Sequence, residues 1–252
     1  VSHRGAGAAP LSAAVPIVLM HGVGFGPETL SPLADRLAAH APVITVARRG
    51  YGDRARDPPP ATVAEHVADV LSVLDDAGAE RAIVAGMSGG ATIALALALS
   101  RPERIVIAVA HEPAVGSLSP ELRAVVQGAL DRAGGLELLR VLAGSETWGK
   151  LPGALAATLA ASPALVEADA NAFLAFEPQL LPYQPRLPLV CSVGERSSAL
   201  RFTVAQRLAA RTGAPIAVVP GCGHLPQLDA PEAFATLIFN QAFVHADRTG
   251  AP

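Results

Sequence analysis

The stretch that most constrains this chain is Gly86-Met87-Ser88-Gly89-Gly90. It follows a short apolar run, residues 82–85, with the length and composition of a buried strand. It precedes residues 91–99, which are apolar except for Thr92 and read as a buried helix. A strand, a Gly-x-Ser-x-Gly turn and a helix put the serine on a tight, strained turn. Gly86 and Gly90 remove the Cβ atoms that would keep strand and helix apart. The start of the helix aims unpaired N–H groups at whatever Ser88 attacks.

Five more short apolar runs read as strands, at 17–20, 43–46, 105–110, 189–193 and 216–219. Helix signals lie between them. Ser31-Pro32 supplies an N-cap serine and a proline at the first helical position. Thr62-Val63-Ala64-Glu65 has the form of a capping box. Further helices are expected at 200–211 and 231–243. Alternation of strand and helix implies a parallel sheet with right-handed crossovers. The pattern changes between 114 and 186, where helical pieces are interrupted at Gly134-Gly135, Pro152, Pro163 and Pro178. The expected fold is therefore α/β: about six mostly parallel strands, helices on both faces, and a helical insertion. Residues 1–113 and 187–252 form the core in this reading, and 114–186 the insertion. Ligands bind beyond the carboxyl ends of strands in such sheets. Val23, Ser88, Glu112, Glu195 and His224 all fall at those ends.

With 252 residues, 51% of them hydrophobic, the chain can bury one sizeable core. A formal charge of −3 with no basic patch argues against nucleic acid. Proline, glycine or charge interrupts every apolar run short of a membrane span. Cys191 and Cys222 suggest no disulfide framework, and the seven histidines show no metal-ligand spacing. Arg4 and the apolar residues after it superficially resemble a secretion signal, but Pro10, Ser12 and Pro16 interrupt them and they run into the first strand. Residues 1–14 are accordingly expected to be a loose tail and the protein cytoplasmic. Oligomeric state is open.

Four motifs together make the chain resemble an α/β-hydrolase: His21-Gly22-Val23-Gly24, Arg49-Gly50-Tyr51-Gly52, Gly86-Met87-Ser88-Gly89-Gly90 and Gly221-Cys222-Gly223-His224-Leu225-Pro226. The resemblance covers almost the whole chain and equates the insertion with the family's helical cap. It leaves little room for the usual N-terminal strand pair, so a reduced sheet is expected. It implies that Ser88 attacks a carbonyl carbon and that His224 takes and returns its proton. The amides of Gly89 and Val23, with Gly24 as substitute, would form the oxyanion hole. His21 would support its loop, His111 would neighbour the site, and Cys222 would be a packed thiol. No cofactor and no metal are implied.

The acid departs from the family pattern. Counted from Gly194, its usual position falls on Ser197, which carries no charge. The other place relatives put it is the end of the strand after the nucleophile, where Glu112 stands. Pro113 is expected to hold Glu112 extended. Glu195 is the second choice.

The resulting expectation is a serine hydrolase acting on an ester, thioester, lactone or related acyl bond of a small, largely apolar molecule. Trp148, Phe173, Phe176 and Tyr183 are candidates to line its pocket, or else form the insertion's own core. The same constellation could serve carbon–carbon hydrolysis or cofactor-free perhydrolysis, or a ligand-binding protein with little turnover. An aspartate nucleophile would have pointed to dehalogenases or epoxide hydrolases, and Ser88 argues against both.

Overall fold

The computed structural model describes residues 15–151, 153, 162–179 and 187–249. Its strands are β1 (Ile17–Met20), β2 (Val43–Val46), β3 (Ala82–Met87), β4 (Ile105–His111), β5 (Leu189–Gly194) and β6 (Ile216–Val219). They form one sheet in the order β2-β1-β3-β4-β5-β6, and every neighbouring pair is parallel. The helices are α1 (Ser31–Ala38), α2 (Val63–Asp76), α3 (Gly89–Ser100), α4 (Pro120–Lys150), α5 (Pro163–Leu174), α6 (Ala199–Thr212), α7 (Pro226–Asp229) and α8 (Pro231–Thr249).

The central strands β1 and β3 are apolar throughout and buried because both faces of the sheet are covered there, whereas the edge strands β2 and β6 are partly exposed. Val18, Met20, Val84 and Ala108 face one layer, which holds Val67 and Val70 of α2 and Ile93 and Leu97 of α3. Their neighbours Ile17, Leu19, Ile83 and Val109 face the other, against Leu33 of α1 and Phe234 and Ile238 of α8. The two-residue period of the strands sorts alternate side chains between the layers.

Two helix starts differ from the sequence expectation. Ser31 is the first residue of α1 rather than its cap, because a 3-10 turn over Pro27–Leu30 runs straight into the helix. At α2, Thr62 accepts from the Glu65 amide at 3.3 Å, but the Glu65 carboxylate takes the Ala61 amide at 2.8 Å instead of that of Thr62. The capping box is thus displaced by one residue on its return bond.

Helices α4 and α5 follow β4 and precede β5. The chain takes left-handed φ values of 67° at Gly134 and 74° at Gly144 within α4, so this long helical segment changes direction at both. A Cβ on Gly135 would sit 2.5 Å from the Pro163 carbonyl oxygen. Glycine there lets α4 and α5 pack closely. No helix among the described residues is long and apolar enough to cross a membrane.

Candidate active site

Ser88 joins β3 to α3 at φ 53° and ψ −115°, a left-handed backbone that costs energy for any residue with a Cβ. Two glycines permit the turn. A Cβ on Gly86 would stand 2.2 Å from the Gly90 carbonyl oxygen, and one on Gly90 the same 2.2 Å from that of Met20. The Ser88 amide donates to the His111 carbonyl at 2.9 Å, fastening the turn to β4. The loop after β1 lies alongside, since a Cβ on Gly22 would touch the Ser88 Cβ at 3.2 Å.

Sheet register sets the next residues level with the serine. Met87 pairs with His111, and His111 pairs with Ser192. Glu112 therefore leaves β4 at the height at which Ser88 leaves β3. Its backbone is not extended as expected before a proline: φ is 49°. The Glu112 amide donates to the Ser192 carbonyl at 3.0 Å, continuing the ladder while the side chain turns toward β6. The carboxylate is buried and fully engaged. Oε2 accepts from His224 Nδ1 at 2.7 Å, and Oε1 accepts from the Gly194 amide at 3.0 Å and from the Ser197 hydroxyl. Burial alone would raise its pKa, but the bond from His224, then the neighbouring His111 and His224 rings and last the Arg201 charge, outweigh that and hold Glu112 well below the usual carboxylate range. Ser197, the position where the family places its acid, thus serves Glu112 as a hydrogen-bond donor.

His224 comes from the loop after β6. With Nδ1–H given to Glu112, its Nε2 carries the free lone pair. That atom faces Nη2 of Arg201 at 3.5 Å. Among the described residues no hydrogen bond joins the Ser88 hydroxyl to His224. Burial, then the Arg201 charge, pull the imidazole pKa down to about 4 against the opposing influence of Glu112. His224 is therefore neutral at pH 7. Asp229 braces its loop, accepting from the Gly223 amide at 2.9 Å and from Thr147 of α4 at 2.8 Å. His111 lies beside the site with Nδ1 at 3.0 Å from the Ser192 hydroxyl. Glu195 points elsewhere. It is exposed, and its carboxylate accepts from the Gly221 amide at 2.8 Å.

The two oxyanion candidates in the β1 loop differ in their partners. The Gly24 amide donates to the Tyr51 hydroxyl at 2.9 Å, whereas the Val23 amide donates to no described residue. Behind this loop sits a buried polar cluster. Arg48 makes a two-pronged ion pair with Asp169 of α5, both contacts at 2.7 Å, and its Nη2 also donates to the Gly22 carbonyl at 2.9 Å. Tyr51 donates to Asp169 at 2.6 Å. Burial would raise the Asp169 pKa, but the Arg48 charge and the surrounding donors hold it well below its ordinary value. His21 lies against Tyr51, and burial and Arg48 push its pKa down to about 3. This cluster ties α5 to the loop beside Ser88.

A cavity of about 20 Å³ lies over Ser88, room for about one water molecule. Its wall includes Val23, Leu138, Ala170, Phe173, Leu174 and Arg201. Of the four aromatic candidates, Phe173 is in this wall, stacked on His66 with ring centroids 5.2 Å apart. Phe176 lines a different cavity, between α2 and α3. Trp148 packs on the core with Arg140 over its ring at 5.7 Å. Tyr183 lies outside the described residues. Cys222 is a buried thiol pushed up to about 12 by burial.

Reading the sequence missed Arg48, Asp169, Arg201 and Asp229. Asp169 left no clear signal, since Glu167 and Asn171 beside it give the stretch the look of an ordinary polar helix face.

Residues 17–237 match the Alpha/beta hydrolase family, and the chain belongs to it. The particular relatives are more distant. A protein of Azorhizobium caulinodans, provisionally named carbamate hydrolase RutD, is 41% identical over 93 residues, 37% of this chain and 35% of its own length. Lipase LipV of Mycobacterium tuberculosis is 33% identical over 97 residues, 38% of this chain and 37% of its own. These matches thus span little more than a third of either chain. Among solved structures, Est816, described as an N-acyl homoserine lactone degrading enzyme, superposes with a TM-score of 0.70 at 24% identity, covering 90% of this chain and 92% of its own. The enol-lactonase of Burkholderia xenovorans gives 0.68 at 22%, covering 91% and 92%. At these identities the likeness concerns the fold.

Proposed function

We propose that this chain is a serine hydrolase that cleaves an ester, thioester, lactone or related acyl bond of a small, largely apolar substrate through an acyl-enzyme. One observation carries the proposal: Glu112 and His224 are joined at 2.7 Å at the strand ends next to Ser88, which sits on a left-handed turn. The family, and the lipase, lactonase and carbamate hydrolase names among its relatives and neighbours, support the same chemistry.

The steps follow from the roles this assigns. Ser88 Oγ attacks the carbonyl carbon as His224 Nε2 takes its proton. The amides of Val23 and Gly89 bond the oxygen that gains the negative charge. The intermediate collapses when His224 returns the proton to the leaving group. Water then repeats the sequence on the acyl-enzyme and frees Ser88. Glu112 fixes the imidazole tautomer and stabilises the imidazolium. Helices α4 and α5 act as a cap that supplies the apolar wall. A fluorophosphonate probe tests the reading, since only an activated serine reacts quickly: the protein should label at Ser88, and Ser88→Ala should neither label nor turn over p-nitrophenyl esters.

A second reading, a binding protein with little turnover, is favoured by the Arg201 guanidinium standing where the Ser88 hydroxyl should approach His224. The same labelling experiment separates the two.

A further inference from the structure

We propose that Arg201 is the recognition residue for a carboxylate on the substrate, and that binding this carboxylate draws the guanidinium off His224 and frees its Nε2 for Ser88. The inference rests on the hydrolase reading for its second half. Its first half, an anion site at Arg201, stands independently.

Arg201 projects from α6 with 11% of its side chain exposed. A guanidinium at that depth normally has carboxylates or carbonyls on several of its five donors. Arg201 has none at good distance among the described residues. Its Nε is 3.6 Å from Glu112 Oε2, beyond a sound hydrogen bond, and that oxygen already accepts from His224 at 2.7 Å. The other Glu112 oxygen is taken by Gly194 and Ser197. Nη2 has only the 3.5 Å contact with His224, and Nη1 has no hydrogen bond to a described residue. By contrast, Arg48, buried still deeper at 1% exposure, has both Nη atoms engaged at 2.9 Å or less, although its Nε has no partner. Arg201 thus holds a charge in the site whose planar fork is largely unused.

Its position gives that charge a direction. Arg201 lines the small cavity over Ser88 and also a neighbouring cleft of about 460 Å³ that contains His224 and Glu112. Leu122, Val126 and Leu142 line both as well. Arg201 is the one charged side chain in this partition. A ligand spanning both spaces meets apolar surface at Leu122, Val126 and Leu142 where they join; of the charged side chains in the cleft, Glu112 is engaged by His224 and Arg196 by Glu146, which leaves the guanidinium of Arg201. The fitting substrate therefore has an apolar body and a single carboxylate, which Arg201 grips in two-pronged fashion. The bond that Arg201 Nη2–H donates to the His224 Nε2 lone pair is long, at 3.5 Å, so a carboxylate displaces it readily. Unpaired with substrate, Arg201 occupies the approach to the base; paired, it leaves that approach open.

Two measurements test this. The first is calorimetric titration of the protein with adipate, which needs no turnover. Wild type should bind, and Arg201→Met should raise Kd roughly tenfold to a hundredfold. Arg201→Lys should recover part of the loss and guards against a misfolded variant. Equal Kd values in the wild type and Arg201→Met, or no binding at all, would overturn the anion site. The second is the ratio of kcat/KM for monoethyl adipate to that for ethyl heptanoate. The ratio should exceed one in wild type and collapse by a similar factor in Arg201→Met, whereas a ratio indifferent to the substitution would refute recognition of the substrate. If adipate binding depends on Arg201 but Ser88 does not label with a fluorophosphonate, the hydrolase reading falls and the anion site stands. If Ser88 labels and adipate binding ignores Arg201, the reverse holds.

Discussion

Arg48 at the end of β2 and Asp169 in α5 meet through two 2.7 Å contacts with about 1% of either side chain exposed. Tyr51 and the Gly22 carbonyl complete the cluster. The pair therefore couples the position of α5 to the loop that carries Val23. Removing the charge of one partner leaves the other buried and uncompensated, a loss of roughly 3–5 kcal/mol. Asp169→Asn should lower the melting temperature by roughly 10 °C for a chain of this size. A calorimetric scan checks this, and a shift within a degree would mean the cluster contributes little.

The imidazole of His224 must be neutral to accept a proton. Its pKa of about 4 follows from burial first and Arg201 second. Activity should be full at neutral pH and fall as pH drops through about 4, where His224 becomes protonated and is lost as a base. Removing the Arg201 charge relieves one of the two downward influences. In Arg201→Met, assayed on a neutral ester, the acid limb should therefore move to higher pH. A limb near the ordinary histidine value in wild type, or one that does not move, would contradict this account of the site.

Selectivity should respond to Phe173 and not to Phe176. Phe173 is in the wall over Ser88, whereas Phe176 lines a cavity between α2 and α3. Phe173→Leu should change the relative rates along a series of p-nitrophenyl esters of graded length, and Phe176→Leu should leave their order intact. A change of order with Phe176→Leu alone would move the substrate pocket.

Glu112→Gln should cut kcat heavily, approaching the cost of losing a triad acid, on the order of ten-thousandfold. Glu195→Gln should have a small effect, because Glu195 holds the Gly221 amide on the surface. Parallel assays of the two variants decide, and the opposite ranking would transfer the role to Glu195.

How much of this was legible in the sequence depended on range. The strand cores, their parallel order and the Ser88 turn are local matters of apolar runs and glycines, and they lie where the patterns put them. The His224 loop was marked by its glycines. The choice of Glu112 over Glu195 came from position along a strand, yet the backbone of Glu112 did not follow the local rule for a residue before proline. At φ 49° it is held by Ser192 on one side and His224 on the other, contacts that no window of sequence contains. Arg48 with Asp169, 121 positions apart, and Arg201 with His224 were invisible for the same reason. The aromatic residues of the insertion shared one composition but separate destinations, since helix packing, not residue type, sends Phe173 to Ser88 and Phe176 elsewhere.

The most direct test of the account is fluorophosphonate labelling of the intact protein, with the modified residue located by mass spectrometry. Stoichiometric modification of Ser88, strongly slowed in Glu112→Gln and absent in Ser88→Ala, is the predicted result. A Ser88 that stays unmodified while the protein is folded, or that labels equally fast in Glu112→Gln, would contradict the claim that Ser88, His224 and Glu112 act as one catalytic unit.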